Sequence, residues 1–197
     1  RARCAVIIAA GGFGADIAMR AAFRPILTAA YNTTNHRGAT GEMIRLAQAV
    51  GADALQLEFI EVHPYGDPST GALDTATSYA LQIRRSGAML VGKHGKRFVN
   101  ELAPHDHVSR MEMATGERPT FTIFNEAMLQ QQDAERNRVE LPQLIERGRI
   151  LRAASLRELA AAAGIAAALE DTAQRYAQML RERKDPELDR KSTRLNS

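Results

Sequence analysis

The chain has 197 residues, 45% of them hydrophobic and 25% charged, with a formal net charge of +3. That is the balance of a globular protein of one or two domains, and its basic residues are too dispersed for a nucleic-acid surface. A single cysteine, Cys4, excludes an internal disulfide and reads as a buried thiol, no Cys/His cluster has metal-ligand spacing, and no apolar run is long enough to span a membrane.

Residues 4–10, CAVIIAA, form a β-branched run stopped by Gly11 and Gly12. This pattern predicts a strand buried on both faces, of the kind found in parallel sheets. Because such a strand cannot stand alone, its sheet partners are expected elsewhere, and the N-terminus, which lacks a leader pattern, reads as the inside of a longer gene. Asp16 to Arg20 predicts a short helix, and residues 31–40 a polar loop. Gly41 to Val50 predicts a helix that Gly51 ends. Alternation over residues 54–62 predicts a strand. His63 to Ser78 predicts a loop, rich in Pro, Gly, Asp and Ser. Residues 88–91 and 97–99, joined by GKHG, predict a β-hairpin, and Thr120 to Phe124 another strand. The rest is helical. Ser155 and Glu158 form a capping-box pattern, Gly164 ends that helix, and residues 167–183 form the last one.

Four ordered segments carry a family resemblance. AVIIAAGGFG at 5–14 resembles the ATGGF strand and turn of soluble fumarate reductases, with Ala10 for the usual threonine. TTNHRGATGE at 33–42 resembles TNxxGxxGDG, with Glu42 for aspartate and Met43 for the final glycine. EVHP at 61–64 resembles QxHP, and residues 87–102 resemble GAILVN..GKRFVNE. Weaker likeness continues to Arg190, while Lys191 to Ser197 departs from the pattern and reads as a tail of non-native origin. The chain thus resembles the FAD-dependent soluble fumarate reductase family, which includes urocanate reductase-like flavoproteins.

The resemblance implies an α/β plus α+β fold. Residues 1–57 would be the end of a Rossmann-like FAD-binding domain, and residues 58–190 an α+β capping domain over the substrate. The glycine-rich dinucleotide motif that such a domain needs is not within these residues. The implied cofactor is FAD, approached by Gly11, Gly12, Thr34, Asn35, Gly41 and Glu42. The implied chemistry is hydride transfer between flavin and a C–C bond beside a carboxylate or carbonyl. The implied partners are a small unsaturated or saturated organic acid, or a ketone, and an unnamed electron donor or acceptor. The implied location is the cytoplasm, or the periplasm if a leader lies upstream.

Such a reaction needs cations to hold carboxylates and an acid to protonate carbon. His63 matches the family's substrate-binding histidine. Arg84 matches the arginine of a proton relay whose glutamate is replaced here by Leu81. His105 stands where the family has a general-acid arginine. Its imidazole titrates near neutral pH and acts in either direction, with Asp106 placed to orient the ring and with Arg110 or His107 as substitutes. The 63–84 segment is longer than in fumarate reductases and adds Tyr65, Asp67 and Tyr79 near the expected substrate. These departures argue against fumarate itself as substrate. Two other readings stand: a ketosteroid dehydrogenase or aspartate-oxidase-like enzyme, to which ELAP at 101–104 is similar, and a non-catalytic ligand-binding module.

Overall fold

The computed structural model describes residues 6–188. Cys4, the start of the first expected strand, Arg190 and the tail at 191–197 lie outside the described residues. Contacts divide the chain into two compact units: one holds the chain up to Glu61 together with Gly66–Leu73, the other Val62–Tyr65 together with the chain from Asp74.

In the first unit the expected strand at 6–10 does not form, and Val6, Ile7 and Ile8 are 76%, 90% and 51% exposed. A strand needs a neighbour to pair its amides, and no described strand lies beside it. The expected strand over 54–62 is likewise irregular. Gln56 has a φ of 60° and its carbonyl accepts from Phe59, closing a turn where alternation suggested extension. Two helices do form. In α1, Ile17–Phe23, the Asp16 carboxylate caps the Met19 amide at 2.9 Å. Helix α2 spans Glu42–Ala49 and begins from Gly41 in the left-handed region. Arg20, 5% exposed, donates to the carbonyls of Gly14, Thr28 and Tyr31 at 3.1, 3.1 and 2.9 Å, tying the irregular chain around α1. The two terminal nitrogens of this buried cation, though not its Nε, are satisfied by backbone carbonyls, and they hold together a stretch that has no sheet.

The second unit is α+β. Helix α3, Thr75–Ile83, starts at a reciprocal capping box between Asp74 and Thr77. Its first residues fall in the segment expected to be a loop, because the capping signal lies just after a turn-rich stretch. Strand β1, Met89–Val91, pairs antiparallel with β2, Phe121–Ile123. The expected hairpin survives as one bridge, Val91 to Arg97. Between the strands lies α4, His105–Thr115, which the sequence reading did not anticipate. Then follow α5, Glu126–Leu129, α6, Ala134–Glu146, α7, Leu156–Ala163, and α8, Leu169–Glu182. Ser155 caps the Glu158 amide at 3.2 Å and Gly164 ends α7 in the left-handed region, as the sequence pattern indicates.

Side-chain alternation along β1 separates two cores. Met89 and Val91 pack with Ile123, Ala160, Ile165 and Leu169 under α7 and α8. Leu90 points the other way, into a cluster with Tyr65, Val99 and Val108 that Leu81 also joins. A third cluster gathers Tyr79, Ile83, Ala88, Leu129 and Leu144.

An ionic knot joins these layers. The Arg97 side chain, 2% exposed, donates to both Glu101 oxygens at 2.9 and 2.7 Å and to Asp185 at 2.7 Å. Its guanidinium stacks 4.1 Å from the Tyr176 ring centre. Glu101 also accepts the Leu90 amide at 3.0 Å. Burial opposes the Arg97 charge, but its bonds to Glu101 and Asp185 outweigh burial and hold its pKa above the ordinary arginine value.

Removing one partner of such a pair leaves the others charged and unpaired. Arg97→Leu should therefore destabilise this unit by about 3–5 kcal/mol. Urea unfolding followed by circular dichroism measures the loss, and a change below about 1 kcal/mol would contradict the buried knot. Exposed Val6, Ile7, Leu55 and Phe59 predict a second behaviour, self-association of this 197-residue chain when made alone, which light scattering detects as species larger than one chain.

Candidate active site

The second unit brings together three of the expected residues, and they arrive from three elements. Arg84 follows α3, His105 opens α4, and His63 lies on the segment that Ser109 of α4 holds by donating to the Val62 carbonyl at 3.1 Å. The His63 and His105 ring centres are 5.0 Å apart, edge to face. The Tyr65 ring centre lies 6.1 Å from that of His63 and 6.3 Å from that of His105.

Arg84 is held from two sides. One terminal nitrogen donates to the Glu101 carbonyl at 3.1 Å, and the other lies 2.9 Å from His105 Nε2. A guanidinium only donates, so His105 Nε2 is the acceptor here and the ring's proton sits on Nδ1. Protonation of Nε2 and this bond exclude each other. The Arg84 Nε is buried without a partner, and so is the Tyr65 hydroxyl. Burial pushes the Tyr65 pKa up. The Arg84 cation, 5.8 Å from the ring centre, offsets part of that without a well-formed bond to the oxygen. Two orphaned buried polar atoms beside two imidazoles fit a polar ligand better than they fit a finished core.

His63 Nδ1 faces the backbone of Tyr65, 3.3 Å from its amide nitrogen and 3.1 Å from its carbonyl oxygen. That seat turns the Nε2 edge of the ring away from its own loop. Leu81, in the relay position, packs in the apolar cluster of Tyr65, Leu90 and Val108 and carries no proton.

Several expected roles are corrected. Asp106 does not orient His105: its carboxylate pairs with Arg110 at 3.1 Å, both half exposed, and Arg84 holds the ring instead. Tyr79 does not approach the site. It is 2% exposed in the third core and donates to Asn137 at 3.0 Å. Asp67 is taken up by a turn, accepting from the amides of Ser69 and Thr70 at 3.0 and 2.7 Å and from both hydroxyls. The sequence reading missed Glu101, whose carbonyl positions Arg84. Its place in the quoted motif GKRFVNE was the available signal.

In the first unit, the loops expected to meet the cofactor pack on each other. The Gly41 amide donates to the Gly12 carbonyl at 3.0 Å. Gly41 is buried with a φ of 67°, and a Cβ there would meet Phe13 and Met19 at 2.7 and 2.6 Å, so its conformation and packing both require glycine. Gly11, Gly12, Thr34, Asn35 and Glu42 are exposed. A Cβ on Gly12 would meet nothing within 4 Å, and one on Gly11 only His36. Bare backbone flanked by short polar side chains fits close approach of a dinucleotide. His36, which was not anticipated, lines that surface.

Comparisons with known proteins place the chain among flavin-binding proteins. The family model described as an FAD binding domain matches residues 1–192. NADH:fumarate oxidoreductase of Klebsiella pneumoniae is 35% identical over 162 residues, covering 81% of this chain and 16% of that protein. Urocanate reductase of Eggerthella lenta is 31% identical over 187 residues, covering 94% of this chain and 30% of that protein. The open conformation of a flavocytochrome c3 fumarate reductase matches in fold, with a TM-score of 0.70 at 24% identity over 98% of this chain and 32% of that one. A 3-ketosteroid-Δ4-(5α)-dehydrogenase from Rhodococcus jostii matches with a TM-score of 0.56 at 25% identity over 97% of this chain and 36% of that one. The chain belongs to the FAD-binding flavoprotein family. Within it the chain is fumarate reductase-like, and it spans about a third or less of the length of these relatives. Among the described residues no helix is long and apolar enough to cross a membrane, and no cluster of His, Cys, Asp and Glu has the makings of a metal site.

The Asp67 turn yields a pH prediction. Bonds from the Ser69 hydroxyl, then from Thr70, hold its carboxyl well below the usual range. A folded value below the unfolded one stabilises the fold above about pH 3.9, and the benefit is lost as pH falls below that. Asp67→Asn should therefore flatten the drop in unfolding midpoint between pH 5 and pH 3, and an unchanged drop would show that the turn contributes nothing to acid sensitivity.

Proposed function

We propose that this chain carries the substrate-capping part and a portion of the FAD-binding part of an oxidoreductase that moves a hydride between flavin and a C–C bond next to a carboxylate or carbonyl. The boundary assigned from sequence, 1–57 for the flavin side and 58–190 for the cap, accompanies that reading. The observation that carries it is the meeting of His63, Tyr65, Arg84 and His105 in one cluster, where the Arg84 Nε and the Tyr65 hydroxyl are buried without a partner.

FAD, when bound, gives or accepts the hydride. Gly11, Gly12, Thr34, Asn35 and Glu42 would hold it, with Gly41 shaping the loop. Arg84 and the outward Nε2 edge of His63 bind a carboxylate through charge-assisted hydrogen bonds. His105 stands at the N-terminus of α4, where the exposed amides and helix dipole also favour an anion. The Tyr65 hydroxyl donates to a second oxygen of the substrate. His105 gives a proton to the carbon that does not receive hydride, or takes one from it in the reverse direction. With Leu81 in the relay position, the proton reaches the substrate through His105 without a carboxylate on α3. The site has two imidazoles and one arginine for anions. That set supports a monocarboxylate or mixed acid–carbonyl substrate over a symmetric dicarboxylate. Tyr65 supports a second reading, a ketone held through its carbonyl, which the fold likeness to a ketosteroid dehydrogenase accompanies.

The absorbance of the full-length, FAD-loaded protein tests this. After chemical reduction, the oxidised flavin band should return when an unsaturated monocarboxylate or enone is added under anaerobic conditions. His105→Gln should slow that return by about 10²–10⁴-fold. A band that no unsaturated acid or ketone restores would favour a ligand-binding module.

A further inference from the structure

The bond between Arg84 and His105 has a consequence for when the proton is available. Arg84 donates to Nε2, so the imidazole is held neutral with its proton on Nδ1. A neutral imidazole cannot serve as the acid. Yet Arg84 is also the cation best placed for a carboxylate, and its Nε is buried with no partner. One guanidinium therefore faces two acceptors, a neutral ring nitrogen and an incoming anion. Both bonds have the guanidinium as a charged donor, but only a carboxylate adds an opposite charge and two oxygens for a bidentate fit, so it is the stronger of the two acceptors.

We propose that Arg84 is a substrate-operated switch on His105: a substrate carboxylate draws the guanidinium from Nε2, and the ring then takes a proton from solvent. The acid is generated by the anion it will act on. The inference rests on the proposed function for the identity of the site, but its own claim concerns coupling. Protons balance simply. One enters at Nε2 on binding and passes to substrate carbon, where the accompanying hydride completes a CH–CH unit. The ring returns neutral and Arg84 returns to it as product leaves. In the oxidising direction the same ring accepts the proton, and product release expels it.

The groups around His105 are consistent with such a switch. His63 and Tyr65 face it from the preceding segment. From the far side come Arg84 itself and the Glu101 carbonyl, while the Glu101 carboxylate is consumed by Arg97 and the Leu90 amide. On its own helix, Asp106 is paired with Arg110. No carboxylate among these groups competes with an incoming one for Arg84. In this reading, the loss of a relay glutamate at Leu81 removes the competing anion.

The test is the proton stoichiometry of anion binding. FAD-loaded, full-length protein is titrated calorimetrically with butyrate, a saturated monocarboxylate, at pH 7.5 in MOPS and in Tris, whose ionisation enthalpies differ. The expected result is uptake of about half a proton or more per butyrate, since an imidazole freed from its arginine has a reference pKa near 6.5 and gains an anion beside it. His105→Gln should still bind butyrate and take up none, whereas His94→Gln, at an exposed histidine outside the site, should keep the uptake. Butyrate binding without uptake, uptake that survives in His105→Gln, or no butyrate binding at millimolar concentration would each overturn the proposal. A ligand-free measurement guards against poorly folded variants. The ¹⁵N resonances of His105 in histidine-labelled wild-type protein should show Nδ1 protonated and Nε2 bare, and a protonated Nε2 at that pH would also overturn it. The two readings fail separately. Uptake with no reaction of any unsaturated acid or ketone sinks the function and leaves the switch. Turnover without uptake does the reverse.

Discussion

The buried Arg97 guanidinium is the constraint on which the second unit depends. It lies beneath β1, bonded to Glu101 and Asp185 and stacked on Tyr176. Three distant stretches of chain meet there: the turn after β1, the loop before α4 and the segment after α8. Desolvating three charges is costly, and only complete pairing makes it tolerable. That requirement fixes the 97–101 segment within narrow limits. The site follows from this, because the Glu101 carbonyl sets Arg84, and Arg84 sets the His105 ring.

The site rests on one face of a two-stranded sheet. β1 sends Met89 and Val91 to one core and Leu90 to another, and Tyr65 lines the second. Apolar packing therefore brings the tyrosine against the polar cluster and buries its hydroxyl without a partner. A core that leaves polar atoms unsatisfied is less stable than one that does not. The cost is understandable where a ligand completes the bonding.

Much of the chemistry was legible in the chain order of motifs. HP at 63–64, the arginine at 84, and PHD at 104–106 named the three residues that converge, although more than forty positions separate the first from the last. The capping signal at Ser155 and the stop at Gly164 were also readable, since a cap is a local hydrogen bond between residues three apart. Strands were not. Residues 6–10 and 54–62 have strand patterns, yet a strand exists only beside another, and among the described residues neither has one.

What sequence alone determined is the family and the cofactor, through the resemblance carried by four ordered motifs, and the candidate side chains that this resemblance points to. What only the tertiary structure decided is which groups touch. Asp106, next to His105 in the chain, turns to Arg110, while Arg84, twenty-one positions away, holds the ring. Asp67 and Tyr79, both expected near substrate, are spent on a turn and a core. The reason is physical: a side chain's partner is whichever group the packed backbone brings within about 3 Å, and packing depends on contacts far apart in sequence.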